Sequence, residues 1–68
     1  MREEYLSILG SGVRTARERL SLSQTTLARR AGVHPNVVGR LERGIYNPTL
    51  LKLQAIAGAL RVPLRNLV

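Results

Sequence analysis

Between Ala31 and Pro35 the chain carries a helix stop followed at once by a helix start, and no other feature narrows its fold so far. Gly32 closes a short segment opened by Ser23, whose hydroxyl suits the position just before a helix. Pro35 suits the first turn of the next helix, where its missing N–H costs nothing. The spacing predicts helices over Gln24 to Ala31 and Pro35 to Arg43, the second ending at Gly44. Two helices joined by a turn of about three or four residues containing glycine form a helix-turn-helix. Ala28 is small where the pair must approach, and Val33, Val38 and Leu41 supply apolar contacts for the crossing.

Upstream, Leu9, Val13, Ala16 and Leu20 fall on one helical face. They predict a helix from about Ser11 to Leu20, with Tyr5, Leu6 and Leu9 available to extend it backward. Downstream, "GIYNPT" reads as a turn in which Pro48 restricts Asn47 and Thr49 caps the next helix. Leu50, Leu53, Ile56, Ala57 and Leu60 trace another apolar stripe, its helix ending near Arg61, and "VPLRNLV" adds a short turn carrying Leu64, Leu67 and Val68. No strand alternation or internal repeat is present. The expected fold class is all-α, a compact set of five short helices around one core, with residues 1–68 as a single domain.

Composition then limits what such a domain can do. Its 68 residues include no cysteine, no aspartate, one histidine and four glutamates, so no zinc site, thiolate, acid/base pair or catalytic triad can be assembled. The chain is not expected to be an enzyme, nor to need a metal or cofactor, and no small-molecule ligand is evident. No apolar run reaches the roughly 20 residues needed to cross a bilayer, and "MREEYLSILG" lacks the features of a secretory signal. No membrane partner is expected, and the expected location is cytoplasmic. Against this stands a net charge of +7, built on ten arginines and one lysine. A body this basic attracts polyanions, of which nucleic acid is the commonest in a cytoplasm. Residues 23–44 carry four arginines and one glutamate beside a main packing segment. That placement suggests a buried scaffold side and an outer side that meets the polyanion.

Taken in order, Leu9 and Gly10, Val13 and Arg14, Arg17, "SQTTLARRAGV", "RLERG", Pro48 and "LQAIAGALRV" resemble the lambda-repressor-like family of transcriptional regulators, the Cro/C1-type or XRE family. The resemblance runs from about residue 9 to residue 67. It implies five helices, dimeric binding to operator DNA, and a third helix lying in the major groove. Residues 24–43 become the helix-turn-helix and 35–43 the recognition helix. The implied function is sequence-specific binding of double-stranded DNA by a repressor or autoregulatory controller, on a pseudo-palindromic operator read by a homodimer. The alternative is an antitoxin or adaptor module whose main target is a partner protein; co-purification with such a partner separates the two.

On helical spacing, Val38 and Leu41 turn inward with Val37 at the boundary, leaving Asn36, Gly39, Arg40 and Arg43 outward. Arg40 has the chemistry to pair bidentately with guanine and Asn36 with adenine, although by themselves they also fit a solvated arginine and an exposed amide. Gly39 either lets the helix sit deep in a groove, or marks a tolerated defect or a close approach to a neighbouring helix. His34 and Pro35 start the helix and complete the candidate base-contacting set with Asn36, Gly39 and Arg40, although His34 either only caps the helix or also touches a phosphate or base edge. Phosphate contacts are expected from Gln24, Arg43, Asn47 and the amides from Gly44 to Tyr46, with Arg14, Arg29 and Arg30 as helpers or merely solvated. The resemblance further implies a pair between Arg17 and Glu42 that holds the recognition helix, with Arg17 also able to share a phosphate. Leu64, Leu67 and Val68 are the candidate dimer interface, with completion of the core as their other reading.

Overall fold

The computed structural model describes residues 2–67, with side chains from residue 4 onward. Four α-helices, α1 (Arg2–Arg19), α2 (Gln24–Ala31), α3 (Pro35–Glu42) and α4 (Leu50–Leu60), are followed by one 3-10 turn at Leu64–Leu67. The all-α expectation holds, but the count of five helices does not. After Pro63 the segment closes only four residues into a single tight turn, too few for the repeated i to i+4 bonding of an α-helix.

Each boundary has a local cause. Ser23 accepts a hydrogen bond from the Thr26 amide at 3.0 Å and so opens α2. Gly32, at φ +70°, closes that helix in the left-handed conformation while the Val33 amide bonds back to the Ala28 carbonyl. Pro35 begins α3 behind His34, whose Nδ1 accepts from the Asn36 amide at 3.1 Å. Thr49 caps α4 by accepting from Lys52. At the far end of α4, Arg61 takes the left-handed position at φ +60°, unusual for a residue with a side chain.

One apolar cluster draws on every element: Leu9 and Val13 from α1, Leu27 and Ala28 from α2, Val37, Val38 and Leu41 from α3, Leu53, Ile56, Ala57 and Leu60 from α4, and Leu67 from the 3-10 turn. Packing pulls α1 well upstream of Ser11, because Leu6 and Leu9 join Val13 on the buried face. Leu20 leaves that face, since the helix stops at Arg19 and Ser21 turns left-handed; Leu22 packs against the core beyond it. Leu50 also lies outside, 62% exposed, so the stripe of α4 begins one turn later at Leu53.

α1 sits unusually close to its neighbours. A methyl group on Gly10 would overlap the Leu41 carbonyl of α3, and one on Gly12 would overlap the Leu67 carbonyl of the 3-10 turn. This fixes Leu67 in the core at 1% exposure and corrects its expected place in a dimer interface: a side chain enclosed by its own chain has no surface to offer. Leu64 is half-buried against the same core, and Val68 lies outside the described residues. Among the described residues no helix is long and apolar enough to cross a membrane.

Candidate nucleic-acid interface

Burying Val37, Val38 and Leu41 forces the remaining positions of α3 outward. Pro35, Asn36, Gly39, Arg40 and Arg43 line one open groove, and Gln24, at the start of α2, forms its other side. Four of the five residues expected to touch bases and two of those expected to touch phosphates are thus gathered on one surface. His34 stands just outside, exposed and acting as the cap of α3. Asn47 is exposed in the loop that leaves α3.

Gly39 faces a close neighbour: a methyl group there would come 3.3 Å from Gln24 Oε1, a contact that the glycine spares the Gln24 side chain beside α3. That amide is held from behind, since Gln24 Nε2 donates to Glu42 Oε1 at 3.0 Å. Glu42 in turn receives Arg17 in a two-point pair, Nε to Oε2 at 2.7 Å and Nη2 to Oε1 at 3.0 Å. The remaining nitrogen, Nη1, donates to the Leu22 carbonyl at 2.8 Å. Side-chain exposures of 13% for Arg17 and 4% for Glu42 show how little solvent enters. Hydrogen bonding to Glu42 raises the Arg17 pKa above its ordinary value, against the opposing effect of burial.

This geometry bears on the expected phosphate ligands. Arg17 spends three of its five N–H donors inside the protein, two on Glu42 and one on the Leu22 carbonyl, and its side chain is largely covered, so its contacts here hold α1 against α3. Gly44 does not offer a free amide as expected: its N–H donates to the Leu41 carbonyl at 3.0 Å, and that of Ile45 to the Arg40 carbonyl at 3.1 Å. Helix closure consumes both donors, and the φ of +74° at Gly44 explains the glycine instead. Arg14 is offset by Glu18 across one helical turn at 3.3 Å. Among the described residues no acid lies within salt-bridge distance of Arg29, Arg30, Arg40, Arg43 or Lys52.

The side chains of Tyr46 and Lys52, beside this surface, escaped the sequence reading. The Tyr46 ring lies 5.8 Å from the Arg40 guanidinium and 5.7 Å from Lys52 Nζ. The available signal was aromatic scarcity: with only two tyrosines and no other aromatic, one placed in the loop after α3 was a candidate for specific work.

The fold as a whole is shared with solved proteins. The solved restriction-modification controller protein C.AhdI from Aeromonas hydrophila superposes with a TM-score of 0.92 at 35% identity, covering 96% of this chain and 98% of that one. An HTH_3 family transcriptional regulator from Vibrio cholerae gives 0.92 at 25% identity, over 98% of this chain and 38% of its own. The hypothetical transcription factor NHTF from Neisseria gives 0.90 at 28% identity, over 98% and 77% respectively. The immunity repressor protein of Bacillus phage phi105 is 33% identical over 60 residues, which are 88% of this chain and 42% of the repressor, so the chain spans less than half of that relative. The HTH_3 helix-turn-helix model matches residues 13–67, a span that contains the whole groove and the pair behind it, and the chain therefore belongs to the helix-turn-helix family.

Proposed function

We propose that this chain is the sequence-specific, double-stranded DNA-binding unit of a transcriptional regulator, with α3 entering the major groove. The observation that carries the reading is the charge arrangement of the groove. Asn36, Arg40 and Arg43 project together beside Gln24, while Glu42, the sole acid of α3, is turned inward and neutralised by Arg17. Arg40 and Asn36 supply base readout, Gln24, Arg43 and Asn47 hold phosphates, and Gly39 and Pro35 keep the approach low. His34 sets the helix start and, being exposed, is left to meet a phosphate or base edge.

The names of the similar proteins, an immunity repressor and a restriction-modification controller, favour a repressor or autoregulatory controller in the cytoplasm. One such unit reads only a few base pairs. A homodimer on a pseudo-palindromic operator supplies the missing affinity through two half-sites about one helical turn apart. Because Leu67 is enclosed, the dimer uses a surface beyond it, with Leu64 still available in part. Selection of bound sequences from random duplexes tests the whole reading. The expected result is a two-fold symmetric site whose binding weakens with salt at a log–log slope of about −5 to −9, from roughly six to ten phosphates. Recovery of no preferred sequence, or binding indifferent to salt, sinks it.

A further inference from the structure

The loop between α3 and α4 brings one aromatic ring within reach of positive charges from both helices. Arg40 Cζ lies 5.8 Å from the Tyr46 ring centroid, inside the range of a cation–π contact. Lys52 Nζ lies 5.7 Å from the same centroid and donates to Tyr46 Oη at 3.0 Å. The Lys52 backbone amide donates to the Thr49 hydroxyl, which sets the base of the lysine stem in the first turn of α4. The ring body is half-buried against the core. Tyr46 is therefore packed along its body and hydrogen-bonded at its hydroxyl.

Arg40 is not. Among the described residues its guanidinium makes no salt bridge and no side-chain hydrogen bond, so the ring is what restricts a head carried on a long, flexible stem. A bidentate pair with the O6 and N7 of guanine requires that head at one place and in one plane. We propose that Tyr46 is a positioning residue for base readout, holding the Arg40 guanidinium by its face while Lys52 anchors the ring. The proposal rests on the DNA-binding reading above. In it, the residue that touches the base is Arg40, and discrimination at that base depends on a side chain that touches none.

The test is selection from random duplexes with the full chain, run beside thermal melts and salt titrations. Arg40→Ala locates the base that Arg40 reads, as the position whose preference vanishes. At that position Tyr46→Leu is expected to lose about tenfold in guanine preference, with other positions and the salt slope unchanged. Tyr46→Phe keeps the ring and loses the Lys52 bond, and Lys52→Met loses the same bond at an exposed position; each is expected to cost about threefold there. A Tyr46→Leu effect spread evenly over all positions overturns the proposal, as does an unchanged preference in Lys52→Met, which keeps the question open to measurement even where Tyr46→Leu fails to fold. Loss of no position in Arg40→Ala overturns it too. A wild-type chain that selects no sequence removes the underlying reading and the proposal together, whereas a wild-type site with an unaltered Tyr46→Leu profile removes the proposal alone.

Discussion

At the scale of single residues, Glu42 organises more of the surface than any cation around it. It accepts from two nitrogens of Arg17 and from the Gln24 amide, so one carboxylate ties α1 to α3 and holds a groove wall. The resemblance implied the pair with Arg17, but the link to Gln24 was not legible, since a contact between residues 18 apart depends on how α2 crosses α3. Removing one partner of a covered ion pair leaves the other charge desolvated, at a cost of about 3 to 5 kcal/mol. Glu42→Ala is therefore expected to lower the melting midpoint strongly and to abolish DNA binding. The double change Arg17→Met with Glu42→Leu replaces the pair by apolar groups and is expected to recover most of the stability while DNA affinity stays low, because Gln24 has lost its anchor. Calorimetry beside a binding titration checks both halves, and a Glu42→Ala midpoint equal to that of the wild type contradicts the assignment.

At the scale of elements, the sequence was most readable where local chemistry decides the outcome. The bounds of α2 follow from Ser23 and Gly32, and the start of α3 from Pro35, because caps and turns act through neighbours in the chain. Sequence offered the extension of α1 through Tyr5, Leu6 and Leu9 only as an option and misplaced Leu20 and Leu50, because these depend on which neighbour the helix meets. Glycines mark this difference. Gly10 and Gly58 both sit inside helices, where glycine costs roughly 1 kcal/mol relative to alanine, and sequence alone does not separate them. In the fold a methyl group on Gly10 collides with backbone of α3, while one on Gly58 meets nothing within 4 Å. Gly58→Ala is accordingly expected to stabilise by about 0.5 to 1 kcal/mol, and Gly10→Ala to destabilise by roughly 1 to 3 kcal/mol through forced separation of α1 from α3. Urea unfolding of the two variants gives opposite signs if backbone contact, not helix propensity, governs α1.

At the scale of the whole molecule, the charge that recruits a polyanion also strains the free protein. A net charge of +7 on a chain of 68 residues repels itself, and the two ion pairs among the described residues involve only Arg14 and Arg17 of its cations. Salt screens such exposed repulsion over about 10 Å at 0.1 M, while the covered Arg17–Glu42 pair is screened far less. The free chain should therefore become more stable as salt rises. DNA binding should run the other way, because condensed counterions released from phosphates lose their entropic advantage in a salt-rich solution. Neutralising Arg43, a proposed phosphate ligand, tests the link between the two trends. Arg43→Gln is expected to flatten the log affinity against log salt slope by about 1 while weakening all sequences evenly, and to raise the low-salt melting midpoint of the DNA-free chain. Melts and binding measured over one salt series decide the matter: two quantities falling together with salt would mean that the exposed arginines serve the fold of this chain and not its encounter with DNA.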